Sequence, residues 1–317
     1  MKLANARSAA AHVAGFSAVV LLCIALLSVV GCAAGSGPFE DDGRIHAVAT
    51  TGMVADVVER VGGDRVGIFL MMSAGVDPHQ YKAAPSDVGA CEAADMIFYS
   101  GLHLEGKLAD LFEKLATKKP TYAVAGKLAE SSLLTSNGAH DPHVWFDVSL
   151  WRQTIAVVRD ALIEFDPDHA DEYRQNAAEY EVELAKLHEE CKATIAEVPK
   201  EQRIMVTAHD AFRYFGRAYD VEVHGIQGIS TESEASVSEV NRLVDMLVTR
   251  KIKAVFVETS VSERNIKSLL EGCRARGHEV RIGGELFSDA MGKKGTPEGT
   301  YPGMVRHNVK TIVEALK

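Results

Sequence analysis

Past the first forty residues the chain alternates short β-branched, apolar runs with amphipathic stretches, the pattern of a parallel sheet flanked by helices. Apolar runs at 45–50, 66–71, 96–100 and 121–124 predict four strands in the first half, and runs at 204–207, 221–225, 254–257 and 280–282 predict four in the second. Between them lie helical spacings. Val54, Val57, Val58 and Val61 fall on one face, and Gly62-Gly63 supplies a stop where a left-handed cap is needed. Ser236-Val237-Ser238-Glu239 is a capping-box pattern ahead of Val240, Leu243, Leu247 and Val248, and Gly277 can end the helix that begins near Glu263.

Tyr173, Ala177, Tyr180, Leu184, Leu187, Cys191 and Ile195 recur three or four residues apart through 168–197, which is one face of a continuous helix. Asp166-Pro167 and Pro199 mark its ends. About thirty residues at ~1.5 Å each span roughly 45 Å, the length of a two-lobed molecule. The expected fold is therefore α/β with two lobes, each a four-stranded parallel sheet flanked by helices, joined by one long α-helix. The expected division is a leader at 1–31, a tether at 32–43, a first lobe at 44–166, the linker helix at 167–199 and a second lobe at 200–317. A single helical linker predicts small lobe rotations, unlike the strand-like crossovers that serve as hinges in clamping proteins.

The N-terminus changes the picture of where this fold works. Lys2 and Arg7 precede an apolar run from Val13 to Val30, broken only by Gly15, Ser17 and Ser28, and then comes Gly31-Cys32. This reads as a signal peptide. Val29-Val30-Gly31-Cys32 resembles a lipobox, which makes Cys32 the acylated mature N-terminus, with a second acyl chain needed for stable anchoring. The alternative is an uncleaved membrane anchor, since the run approaches the ~20 residues of a spanning helix. Either way the remainder lies outside the cytoplasm. The Gly- and Ala-rich stretch 33–43 reads as a flexible tether.

Charge and cysteines narrow the chemistry. The formal net charge is −10 and no basic cluster is long enough to follow a phosphate backbone, so nucleic acid is not an expected partner. Beyond the leader stand Cys91, Cys191 and Cys273, an odd number without close spacing, which indicates neither a disulfide framework nor a thiolate zinc site. They are expected to be buried small apolar residues.

Four polar groups follow predicted strands. Asp77-Pro78-His79 follows the second and Asp141-Pro142-His143 the fourth, while His209 and Asp289 follow strands of the second half. Strand C-terminal ends line the ligand-binding edge of a parallel sheet. Three neutral imidazoles and one carboxylate suit a divalent transition metal at ~2.0–2.2 Å. Asp77 and Asp141 are candidates to accept the second N–H of the neighbouring imidazole and fix its tautomer. Glu258 ends an apolar strand at the same edge and either anchors a ligand histidine or caps the following turn. Of the other histidines, His140 is the nearest stand-in for a ligand, and Trp145 and Trp151 are expected to pack where the lobes meet.

The motifs Gly75-Val76-Asp77-Pro78-His79, 141–147, 207–212 and 283–291 resemble those of the TroA-type substrate-binding proteins of metal ABC importers, and the similarity runs through the whole mature chain. The resemblance implies two lobes joined by one long helix and ligation by His79, His143, His209 and Asp289. It implies zinc or manganese as cargo, with ferrous iron also compatible, and an ABC importer permease as partner. It also implies attachment to the membrane through the lipid on Cys32. Close manganese-selective members carry a glutamate where His209 stands, and many zinc-selective members have a long histidine-rich loop before the second motif. This chain has neither and so resembles the mixed zinc/manganese type. A carrier that docks on a membrane protein has no evident need to self-associate, so a monomer is expected.

Two alternatives follow from the same residues. A zinc hydrolase would need an open fourth position, which Asp289 closes, and a His-Glu-x-x-His helix, which is absent from the sequence. A surface adhesin with a structural metal would need the ion in order to fold.

Overall fold

The structure, a computed structural model, describes residues 37–136 and 138–317. The proposed leader, Cys32 and the tether up to residue 36 lie outside the described residues. Residues 37–43 contain no helix or strand. Among the described residues, no helix is long and apolar enough to cross a membrane.

In the first lobe, β1 (Ile45–Ala49), β2 (Val66–Leu70), β3 (Met96–Tyr99) and β4 (Thr121–Ala123) form one sheet in the order β2-β1-β3-β4, parallel throughout. Its apolar strands are covered on both faces, as parallel strands require. The Gly52–Gly62 helix ends where expected, at Gly63 with φ +56°.

The second lobe contains β5 (Ile204–His209), β6 (Glu222–Gln227), β7 (Ala254–Glu258) and β8 (Arg281–Leu286). Here the expected single four-stranded sheet is realised as two parallel pairs, β5–β6 and β7–β8, with β5 lying beside β7. The β7–β8 register shifts between Ile282 and Gly284. The cause is local: a Cβ on Gly283 would stand 2.7 Å from the Cβ of Ala315, so the strand bends where the C-terminal helix presses on it.

The linker helix runs Ala170–Ile195, 26 residues and about 39 Å long. Its buried positions are the seven predicted from spacing, Tyr173, Ala177, Tyr180, Leu184, Leu187, Cys191 and Ile195. Asp166 fixes its start by accepting from Tyr173 Oη at 2.6 Å and from His169 Nδ1 at 2.8 Å. Cys91, Cys191 and Cys273 are free and buried.

The buried apolar residues of both lobes and the linker form one continuous core that includes Trp145, Phe146, Trp151, Phe212, Leu286 and Tyr301. A smaller core lies under the outer face of the second lobe. The two lobes are thus welded along one side of their seam. Trp145 Nε1 donates to Ser288 O at 3.0 Å, Tyr301 Oη donates to Trp145 O at 2.7 Å, and Trp151 packs against the Tyr301 ring with centroids 6.0 Å apart.

Asp56 ties three elements together at the weld. It accepts from Tyr180 Oη on the linker helix and, at 2.9 Å, from Tyr301 N at the start of the C-terminal helix. Burial pushes its carboxyl above the usual range, and these two donors offset only part of that. The folded protein therefore holds the Asp56 proton to higher pH than the unfolded chain does, and this group's contribution to stability falls as pH rises through its folded pKa. Asp56→Asn should leave neutral-pH stability equal or higher and flatten that pH dependence. Asp56→Ala, which strands two buried donors, should cost about 2–4 kcal/mol. Urea unfolding at several pH values checks this, and an Asn variant as unstable as the Ala variant would contradict it.

Candidate metal centre

Each of the four candidate residues sits at or beyond a strand's C-terminal end. The chain leaves β2 and turns at Gly75, with φ +78°, into Asp77-Pro78-His79. The second motif arrives less directly. It stands eighteen positions beyond β4, after a two-residue hairpin that pairs Thr135–Ser136 with Ala139–His140, and it leads into a turn at Val144–Phe146. His209 is the last residue of β5, and Asp289 lies three residues beyond β8. At Gly225 of β6 a Cβ would fall 2.4 Å from Asp210 N, so only glycine lets the chain cross there after His209.

The duplicated motif has a shared backbone device. In both copies the aspartate accepts the N–H of the histidine two residues on, His79 N to Asp77 Oδ1 at 2.9 Å and His143 N to Asp141 Oδ1 at 3.1 Å. Such turns favour aspartate, and the intervening proline fixes φ.

Beyond that the copies diverge. Asp141 Oδ1 also lies 2.7 Å from His143 Nδ1, which leaves the Nε2 lone pair free to face inward. Asp77 does not take this role. Its Oδ2 instead accepts from Thr231 Oγ1 at 2.5 Å and from Gln80 Nε2 at 3.2 Å, so the expectation that it orients the His79 ring is corrected.

Glu258 sits directly behind His209. Its Oε1 accepts from His209 N at 2.9 Å and its Oε2 lies 2.5 Å from His209 Nδ1. The sequence reading missed Arg213, whose Nη1 stands 3.4 Å from Asp141 Oδ2 behind the second histidine. Its only signal was a position four residues after His209. His140 does not join the four; its Nε2 is 3.4 Å from Glu130 Oε1.

The fold brings His79, His143, His209 and Asp289 together, all buried, with one ligand atom of each within 4.8 Å of all the others. His143 Nε2 is 3.3 Å from His79 Nε2 and 3.4 Å from His209 Nε2. Asp289 oxygens stand 3.6 Å from His79 Nε2, 3.5 Å from His143 Nε2 and 3.2 Å from His209 Nε2. A regular tetrahedron with ~2.1 Å metal–ligand distances has edges of about 3.4 Å. The separations from His143 and from the Asp289 carboxylate therefore lie near those that a four-coordinate ion requires, and all four donors fall within 4.8 Å of one another.

Electrostatics point the same way. Both carboxylate oxygens of Asp289 are buried among the imidazole Nε2 atoms, with His209 Nε2 the nearest at 3.2 Å, a costly state that a cation relieves. Burial tends to raise the Asp289 pKa, but His209 and then His143 and His79 outweigh it and hold the carboxyl well below its usual range. Burial likewise pushes the His79 pKa down, to about 4, which keeps that ring neutral and ready to donate its lone pair. On His209, burial is outweighed by Glu258 and Asp289, which raise its pKa well above the ordinary value. A proton must leave His209 before its Nε2 can ligate.

Two α/β lobes tied by one long helix, with three convergent imidazoles and a buried carboxylate in their seam, define a solute-binding protein built for a metal cation. A family model described as ZnuA, zinc-uptake complex component A periplasmic, matches residues 47–315. The manganese-binding lipoprotein MntA of Bacillus subtilis (strain 168) is 44% identical over 305 residues, covering 96% of this chain and 99% of the relative. The zinc-binding protein TroA of Treponema pallidum (strain Nichols) is 43% identical over 297 residues, covering 93% and 96%. The solved structure of the periplasmic zinc-binding protein TroA from Treponema pallidum matches with a TM-score of 0.85 at 44% identity, over 86% of this chain and 99% of that one. The chain belongs to the ZnuA family. That family consists of solute-binding transport proteins and not of enzymes, which sets the hydrolase alternative aside.

Proposed function

We propose that this protein captures zinc or manganese between its lobes, with His79, His143, His209 and Asp289 as ligands, and delivers the ion to the permease of an ABC importer. The observation that carries this reading is the buried Asp289 carboxylate, whose oxygens face three imidazole Nε2 atoms at 3.2–3.6 Å. Asp141 and Glu258 orient His143 and His209 from behind. The protein works as a monomer outside the cytoplasm, held to the membrane by acylation of Cys32 after removal of residues 1–31. Residues 32–43 are the tether, 44–166 and 200–317 the two lobes, and 167–199 the connector.

Three imidazoles favour zinc over manganese in affinity, by the usual order of divalent metals. Both Asp289 oxygens face the ligand histidines, so the carboxylate can offer manganese or ferrous iron a fifth donor. The relatives divide in the same way, one named for manganese and another for zinc.

The test is to strip the full chain with chelator and titrate zinc and manganese in competition, on wild type and His209→Glu, while following folding by circular dichroism. One ion should bind reversibly to a chain that stays folded when stripped, and the glutamate variant should shift preference toward manganese by tenfold or more, about 1.4 kcal/mol. Unfolding on metal removal would make the ion structural, as the adhesin alternative requires, and would overturn the transport reading.

A further inference from the structure

The seam between the lobes has two unlike sides. On one side it is the apolar weld of Trp145, Phe146, Phe212 and Tyr301, with the Phe146 and Phe212 rings 4.2 Å apart. On the other a polar strap of the second lobe, residues 228–233, reaches across to the first.

There Thr231 Oγ1 donates to Asp77 Oδ2 at 2.5 Å, Gln80 Nε2 donates to Thr231 O at 3.2 Å, and the same Gln80 nitrogen donates to Asp77 Oδ2, also at 3.2 Å. These three residues close a ring of hydrogen bonds over the gap. Thr231 is 6% exposed, so water competes little for its hydroxyl, while Gln80 forms the exposed edge of the ring. Beside the ring, at the exposed rim, Lys107 Nζ stands 3.3 Å from Glu232 Oε1. Gln227 Nε2 donates to Ser233 O at 3.0 Å and holds the strap in its curve.

The strap forms one wall of a cavity of about 690 Å³, and His79 is the member of the four-residue cluster that lines it. The exit path therefore runs past His79. Asp77 belongs to the same turn as His79, whose N–H it also accepts. One carboxylate thus ties the exit-side histidine to the opposite lobe.

Resting on the metal-capture reading above, we propose that Thr231 is a positioning residue for cargo retention: clasped by Asp77 and Gln80, it holds His79 and the strap closed over the ion. The weld cannot part without exposing core, so the clasp is the side on which the seam opens. Thr231→Val keeps the shape and removes the hydroxyl, whereas Thr231→Ser keeps the hydroxyl.

The experiment loads the full chain with zinc, and separately with manganese, and follows transfer to an excess of chromophoric chelator. Thr231→Val should release metal about tenfold faster, the scale of one charge-assisted hydrogen bond. Thr231→Ser should stay within about twofold of wild type, and the stripped Val variant should melt with stripped wild type, because the clasp sits apart from the core. Release from the Val variant at the wild-type rate, release from the Ser variant as fast as from Val, or a stripped Val variant that melts well below wild type would each overturn the clasp. A wild-type chain that holds neither metal would instead overturn the capture reading, and the clasp with it.

Discussion

Asp289→Asn should weaken zinc binding at least a thousandfold, about 4 kcal/mol, while the stripped protein keeps its fold. The carboxylate is the only formal negative charge within the four-residue cluster, and both its oxygens lie buried against the imidazole Nε2 atoms. A carboxamide of the same size fills the same space and removes the charge that neutralises the ion. In the stripped protein the change is mild, because the new amide N–H can donate to an imidazole Nε2 that otherwise faces two others at 3.3 and 3.4 Å. Competition against a zinc chelator of known affinity measures the first effect and urea unfolding of stripped protein the second. An affinity within tenfold of wild type would mean that the three histidines suffice and that Asp289 is not a ligand.

How much of this was legible in the sequence depended on the range over which each feature is determined. Strands β1 to β4 lie within a residue or two of the apolar runs, because buried parallel strands are apolar on both faces and are cut off by turn residues. The linker helix was fully visible, since its seven buried positions follow from spacing alone. The four clustered residues could be nominated because a strand's C-terminal end is a local property and parallel topology collects such ends at one edge.

What escaped was set by partners far away in the chain. Thr231 meets Asp77 across 154 residues and Asp56 meets Tyr301 across 245, and no local pattern marks either pair. The two Asp-Pro-His copies look alike, yet only one aspartate turns to its histidine's ring, because the other is claimed from the opposite lobe. The register shift between β7 and β8 likewise depends on the C-terminal helix meeting Gly283, thirty-two positions before Ala315.

The other large effect concerns the weld. Trp145→Ala should destabilise the stripped protein by about 3–5 kcal/mol, the range for deleting a large buried aromatic. The ring is fully buried, stands edge-on to His143 with centroids 5.2 Å apart, and packs against Phe146. Its Nε1–H reaches Ser288 O, so it joins the backbone beside Asp289 to the motif that carries His143. Trp145→Phe separates the two contributions. It keeps most of the packing and strands the Ser288 carbonyl, at a cost of about 1–3 kcal/mol. Because Ser288 adjoins Asp289, the Phe variant should also lose metal affinity although every member of the cluster remains. Urea unfolding and zinc competition on both variants provide the measurement. An Ala variant destabilised by less than about 1 kcal/mol would show that the lobes are held elsewhere, and the seam would then lack the fixed side against which a clasp at Thr231 can act.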